Sequence, residues 1–529
     1  MKRFHKLLVR LREAPLYWLA LSASLLALAV TRILFPGVWT LPLTEQAVLD
    51  LGFVQNLRAD LSAYTALEGV PHVLGAHVLT RYLLAIFSTF TGDVARAGIW
   101  LSLVGVVATL SAMYALCRSI FPLREYAAVV MVAFGALGGV QYAISPDPSV
   151  ALGMGLVSWG FCMFMTALDQ SRPPRVFISA LLIGLAGYIR LELAFLWVFL
   201  ALYLLANTTY NSAVKSRGLP LVGMALGGLF MVALIAWPMI DHNLRLAGSP
   251  VLPGFDAEQI LGAPSRGRVV RPDYAGRFVE GFRMLATDRT GMGIFAGLLW
   301  PVGLVVSTVM NRHKAIPFFW IPFVIFWLLV LTLLSPITGT ESFHECLRIT
   351  APLLFPFAVL APTAVLYWWL QQKVQPREKV ARIWFALLLG AYLFTLLPNL
   401  AGPGVRAQAI EREQLMTILD IFERDEVLLD SVLLTDRPGL FLGAGKRDVY
   451  GLNGETDWEM LFNKYNDGSF DPEKLADYMR ERGITHLHLA RHDDPLDERL
   501  AQVDNPPSFR SLNVPNPHRV LVVQWPETD

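Results

Sequence analysis

Thr44-Glu45-Gln46-Ala47-Val48-Leu49-Asp50-Leu51-Gly52-Phe53-Val54-Gln55-Asn56-Leu57 follows the first long apolar run of the chain, separated from it by Pro36-Gly37 and a few residues around Pro42. Thr44 suits a helix N-cap and Glu45 the first turn, where the helix dipole favours a carboxylate. Val48, Leu51, Val54 and Leu57 recur at helical spacing, which leaves Glu45, Gln46 and Asp50 polar beside an apolar stripe. A short amphipathic helix next to a membrane span lies flat in the interface. The stretch reads either as carboxylates held at membrane depth or as a solvated helix that plugs a helical bundle.

The rest of the chain decides between these. Its 529 residues are 54% hydrophobic and only 16% charged, against an ordinary charged share of about 25%. The mean hydropathy is +0.47. Repeated apolar runs of about 20 residues, the length that crosses a hydrocarbon core, predict a polytopic membrane protein. A net charge of +1 predicts nothing about nucleic acid, and with no basic, aromatic-interleaved patch no nucleic-acid partner is expected. Cys117, Cys162 and Cys346 lie in or beside apolar runs without metal-ligand spacing, which predicts inert packing residues. The basic head Met1–Arg12 precedes the apolar run 15–35, the pattern of an uncleaved signal anchor with a cytoplasmic N-terminus.

Apolar runs fall near 15–35, 73–90, 97–117, 126–144, 149–168, 175–189, 191–206, 219–240, 291–311, 317–337, 349–370 and 382–400. Basic clusters at Arg118/Arg124, Arg172/Arg175, Lys215/Arg217, Arg312/Lys314 and Lys373–Arg382 all become cytoplasmic if one crossing between residues 60 and 100 is removed. The run 73–90 is the candidate, because His77 and Arg81 are costly in a lipid-facing span. Read as a re-entrant or half-depth helix, it leaves about 11 of an expected 11 to 13 spans as full crossings. The N-terminus is then inside and the C-terminal segment outside.

That topology gathers ionisable residues on the outer face: Glu45, Asp50, Asp147 in Ser145-Pro146-Asp147-Pro148, Arg190 and Glu192, the loop opening with Asp241 and Arg245, and His344, Glu345 and Arg348 in an expected loop 340–348. Singly, each reads as an interfacial charge. Together they read as a pathway or site, because ionisable groups at membrane depth are expensive. An acid to take a proton from a hydroxyl, with arginines to hold a phosphate, suits group transfer from a lipid phosphate.

Residues 45–57 resemble the D-D-A-Y-x-x-L-R-Y-A-x-N-L segment of bacterial GT-C glycosyltransferases, the arabinofuranosyl- and mannosyltransferase-like enzymes that use polyprenyl-phosphate sugars. Ala47, Leu51, Asn56 and Leu57 match outright; Glu45, Gln46 and Gly52 stand where the motif has Asp, Asp and Arg. Gly184-Leu185-Ala186-Gly187-Tyr188-Ile189-Arg190-Leu191-Glu192 is similar to the family's G-L-A-x-L-x-R-P-E segment, with Leu191 for proline. Trp237-Pro238 with Arg245 and Gly248-Ser249-Pro250, and Glu345-Cys346-Leu347-Arg348 with Pro352 and Pro356, resemble two further family stretches. The soluble tail also resembles that of several members. The resemblance implies a catalytic role for Glu45 and substrate contacts for Gln46, Asp50, Arg190, Glu192, Arg245, Glu345 and Arg348. The outer-face topology adds Asp147, in its Pro-flanked turn, as a second catalytic candidate and His344 as a substrate contact. With Gln46 replacing the second acid, a metal-binding pair is lost; no cofactor is implied, and a divalent metal is not expected.

Residues 402–529 are polar, with strand-like runs 427–434, 486–489 and 520–524 and helical stretches near 407–424 and 472–482. They predict a small extracytoplasmic α/β domain beside a GT-C-type helical membrane domain over 1–401. His486 and His488 alternate on a strand and read as structural. The expected function is transfer of a sugar from a polyprenyl-phosphate donor to an extracytoplasmic glycan, lipid or protein acceptor, in cell-envelope biogenesis at the cytoplasmic (inner) membrane. A transporter or flippase of lipid-linked intermediates would show inverted repeats and broken mid-depth helices, which the chain lacks. A non-catalytic scaffold is the third reading, kept open by Gln46 and Gly52.

Overall fold

The computed structural model describes residues 15–30, 53–54, 57–58, 77–92, 94–120, 124–135, 140, 143–145, 147–170, 173–210, 218–233, 237–247, 274–286, 294–310, 317–360, 431–435, 449–451, 472–489, 496–512 and 519–526. The chain divides into two compact units, one of Met1–Trp39 with Pro71–Gly402 and one of Thr40–Val70 with Pro403–Asp529.

The first unit is built of helices: α1 (Pro15–Val30), α2 (Val78–Thr91), α3 (Val94–Ile120), α4 (Arg124–Gly135), α5 (Ser149–Gln170) and α6 (Pro173–Gly187). After a 3-10 turn, Leu191–Ala194, come α7 (Phe195–Tyr210), α8 (Gly218–Met231), α9 (Trp237–Ala247), α10 (Tyr274–Ala286), α11 (Ile294–Met310) and α12 (Pro317–Thr350). Among the described residues two stretches are long and apolar enough to cross a membrane, Arg96–Arg118 in α3 and Ser149–Ala167 in α5. Other apolar segments described, such as Val78–Thr91 and Phe319–Leu334, run 10–17 residues. The 14 residues of α2 extend only about 21 Å, short of the hydrocarbon thickness of about 30 Å.

Two expectations from the apolar runs change here. Over the run 219–240, α8 reaches Met231 and α9 starts at Trp237, with Pro238 in its first turn, where a missing N–H costs nothing. The long segment after residue 240 carries helices α9 and α10. The expected loop 340–348 is helical, because α12 runs through it to Thr350. Phe343, Cys346, Leu347 and Thr350 are buried at helical spacing, so the polar residues between them mark an amphipathic helix end.

The core is aromatic at its centre. Phe161 and Phe164 of α5, Phe199 and Tyr203 of α7, and Phe319, Trp320 and Phe323 of α12 pack mostly edge-to-face, with Phe319 and Tyr203 centroids 4.8 Å apart. Small residues let the backbones close up elsewhere. A Cβ on Gly105 of α3 would stand 2.4 Å from the Ala151 carbonyl carbon of α5. The outward faces are apolar too. Ile321, Ile325, Leu329 and Leu333, each one turn apart on α12, are about half exposed, as are Val222, Leu226 and Leu229 on α8.

The second unit carries a five-stranded sheet in the order β2-β1-β3-β5-β4, from β1 (Leu433–Thr435), β2 (Val449–Gly451), β3 (His486–Leu489), β4 (Ser508–Leu512) and β5 (Arg519–Gln524). β1 pairs in parallel with β2 and β3; β5 runs antiparallel to β3 and β4. Helices α13 (Pro472–Glu481) and α14 (Leu496–Leu500) add Leu475, Met479, Leu496 and Leu500 to a core with Leu434, Leu487 and Leu521. Gly483, at φ 62, ends α13; its N–H bonds the Arg480 carbonyl and the Ile484 N–H that of Met479, satisfying two terminal carbonyls. On β1 and β3 the Thr435 hydroxyl and His488 Nδ1, both buried, lie 2.7 Å apart.

Candidate functional site

The local sequence around Arg190 makes a tight hairpin between α6 and the 3-10 turn. The N–H groups of Tyr188, Ile189 and Arg190 return to the carbonyls of Leu185, Ala186 and Ala186, closing α6. At Arg190 the backbone becomes extended, φ −143 and ψ 124, and the next four residues wind into the 3-10 turn. Gly187 permits the fold-back, since a Cβ there would meet Ala194 Cβ at 3.0 Å. Arg190 and Glu192 are thereby buried at 9% and 3% exposure, although no elements of a polar core surround them in sequence.

Helix α2 starts against this hairpin. His77 stands before its first turn with φ 63 and no side-chain cap. The hairpin serves instead: His77 N–H donates to the Ile189 carbonyl at 2.8 Å and Leu79 N–H to that of Tyr188 at 3.2 Å. Two of the helix's orphan donors are thus satisfied by backbone next to Arg190. His77 and Arg81 are buried, at 0% and 3% exposure.

The third element is the C-terminal part of α12. There Glu345 Oε2 accepts a charge-assisted bond from Arg190 Nη2 and lies 4.0 Å from His77 Nε2. Burial opposes the Arg190 charge; the Glu345 carboxylate, with Glu192 behind it, more than offsets this and raises the guanidinium pKa above its ordinary value. The result is a cluster of buried His77, Arg190 and Glu192 around part-exposed Glu345, set on three elements of one unit. A guanidinium so placed, with five N–H donors in a fixed fork, suits a phosphate or carboxylate.

The structure brings together Arg190 and Glu345 among the expected site residues, with Glu192 close by. Half-exposed His344 lies beside Phe343, ring centroids 6.0 Å apart, and Arg348 is exposed three residues after Glu345. Asp147 and Arg245 have local partners. Asp147 accepts the Ser149 N–H at 2.9 Å and hydroxyl at 3.0 Å, which caps α5. Arg245 is 77% exposed and paired with Asp241 one turn earlier at 2.6 Å. Glu45, Gln46 and Asp50 lie outside the described residues. Among the described residues no three His, Cys, Asp or Glu side chains gather as a metal site requires. Sequence reasoning used His77 for topology and missed it as a neighbour of Glu345. A histidine inside an apolar run was the available signal.

No protein-family profile and no curated protein matches the chain. Among solved structures it is similar to the apo crystal structure of the Archaeoglobus fulgidus oligosaccharyltransferase, at 13% identity and a TM-score of 0.44, over 89% of this chain and 69% of that one.

Proposed function

We propose that the chain is a membrane glycosyltransferase of the GT-C kind, moving a sugar from a polyprenyl phosphate to an acceptor hydroxyl outside the cytoplasm. The observation that carries this reading is the part-buried Arg190–Glu345 pair, because both residues stand in stretches that resemble the family's motifs. Apolar outward faces on α8 and α12 support a lipid surround, since a water-exposed monomer seldom leaves such stripes uncovered.

In this reading the acceptor oxygen attacks the anomeric carbon, the bond from that carbon to the phosphate oxygen breaks, and polyprenyl phosphate leaves. Glu45 takes the acceptor proton. Arg190 binds the phosphate as its charge grows, which favours the transition state over the ground state. Glu345 holds the guanidinium in place, and the C-terminal unit lies outside the cytoplasm.

The test is donor consumption by the purified protein in proteoliposomes, with synthetic polyprenyl-phosphate mannose and polyprenyl-phosphate arabinofuranose. Arg190→Lys keeps the charge and loses the fork, so it lowers donor use by about tenfold or more. Equal turnover in the parent, Arg190→Lys and Arg190→Ala contradicts the phosphate role and leaves Arg190 a structural partner of Glu345.

A further inference from the structure

We infer that Trp327 is a positioning residue for the donor phosphate, holding through Thr350 the turn of helix from which Glu345 grips Arg190. The inference rests on the phosphate role proposed for Arg190 and extends it to two residues to which no motif assigns a role. Trp327 and Thr350 both belong to α12, 23 positions apart, which is about 34 Å along a straight helix. Yet the buried Trp327 Nε1–H donates to the buried Thr350 Oγ1 at 2.9 Å. A Cβ on Gly281 of α10 would likewise meet both Leu328 Cδ2, at 2.8 Å, and Phe343 Cζ, at 3.1 Å, residues that a straight helix would hold about 22 Å apart. The path of α12 thus doubles back between Leu334 and Phe343, and its returning limb, 343–350, carries Glu345.

A chain of hydrogen bonds ties the outgoing limb to the site. The Thr350 hydroxyl that accepts from Trp327 donates its own proton to the Cys346 carbonyl at 3.0 Å, with the Leu347 carbonyl at 3.3 Å. Cys346 follows Glu345 directly, and Glu345 Oε2 binds Arg190 Nη2. On its other side the returning limb meets α5, where a Cβ on Gly153 would come within 2.9 Å of Ile349 Cδ1. Packing presses the limb into the bundle, and the Trp327 bond, being directional, fixes its height and rotation. Arg190 arrives from a separate hairpin, so its meeting with Glu345 depends on where this limb stands. A shift of about 1 Å in such a group can cost about 100-fold in rate.

Substitution separates the bond from the packing. Thr350→Val keeps the shape and loses the hydroxyl, Thr350→Ser keeps the hydroxyl, and Trp327→Phe keeps an aromatic ring and loses the N–H. Donor kcat/KM is measured in proteoliposomes, per mass of monodisperse folded protein, with melting temperatures recorded. The set includes the Thr350→Val/Trp327→Phe double variant and each single variant combined with Glu345→Ala. Thr350→Val and Trp327→Phe should each lower kcat/KM about 3- to 10-fold, the range that one intramolecular hydrogen bond supports. Thr350→Ser should stay within about twofold of the parent. The double variant should lose no more than the worse single one. Neither should lower kcat/KM further once Glu345→Ala has removed the carboxylate that the bond places.

Parent-like kcat/KM in Thr350→Val and Trp327→Phe, in a series where Arg190→Ala has lost donor use, overturns the inference and leaves the role of Arg190 standing. A lowered melting temperature with unchanged kcat/KM does the same, because the bond is then only structural. Equal losses with and without the Glu345 side chain also overturn it, since the bond then acts elsewhere. If Arg190→Ala keeps donor use, the phosphate reading falls and this inference falls with it. If Thr350→Val does not fold, Trp327→Phe decides alone: its loss must vanish in the Glu345→Ala background, and a loss that persists there overturns the inference.

Discussion

Arg190 and Glu345, 155 positions apart in the chain, meet as an ion pair between the α6–α7 hairpin and the C-terminal part of α12. Breaking this part-buried pair by removing one partner leaves an uncompensated charge and costs less than the roughly 3–5 kcal/mol of a fully buried pair. Arg190→Ala and Glu345→Ala are therefore expected to lower the melting temperature in detergent. The exchange Arg190→Glu with Glu345→Arg should recover much of that loss, while donor use stays low because the phosphate then meets a carboxylate at position 190. Full recovery of donor use by the exchange contradicts the role assigned to Arg190.

The contact of α3 with α5 depends on Gly105. An alanine Cβ there would meet backbone, the Ala151 carbonyl carbon at 2.4 Å and oxygen at 2.5 Å, so the helices must separate. Overpacking of this kind costs about 1–3 kcal/mol. Gly105→Ala should melt earlier than the parent, and Val104→Ala, on the exposed neighbour, should not. The buried thiols of Cys117, Cys162 and Cys346 let a thiol-reactive dye report the unfolding. Equal melting of the two variants would place the helices further apart than described.

Much of the helical unit was legible as apolar length. The runs 97–117 and 149–168 became α3 and α5 almost end for end, since charged residues bound both sides. Strand 486–489 and helix 472–482 were legible by the period of their apolar residues. Hydropathy alone misled where a helix carries charge: Glu345 and Arg348 read as loop because only the burial of Phe343, Cys346 and Leu347 reveals the amphipathic turn. Strand β4, Ser508–Leu512, is mostly polar and exposed, so its alternation is weak and it was missed. The site was half legible. Arg190 and Glu192 stood out by their motif, but that Glu345 answers Arg190, and that His77 joins them, is set by tertiary packing and has no local trace.

The basic clusters make a prediction about orientation. Lysines and arginines in short loops favour the cytoplasm, so reporters fused after residues 214 and 315 should read inside, and those after 93 and 404 outside. A cytoplasmic signal at 404 contradicts an extracytoplasmic C-terminal unit.

The most direct measurement is sugar transfer by purified parent, Glu45→Gln and Asp50→Asn in proteoliposomes supplied with a synthetic polyprenyl-phosphate sugar and a hydroxyl acceptor. Glu45→Gln keeps size and hydrogen bonding but removes the base, whose contribution to such a step is about 10²–10⁴-fold. The expected result is donor consumption by the parent, a loss of about that factor in Glu45→Gln with donor binding intact, and a much smaller loss in Asp50→Asn. Transfer at the parent's rate by Glu45→Gln, or no donor consumption by the parent, contradicts the account.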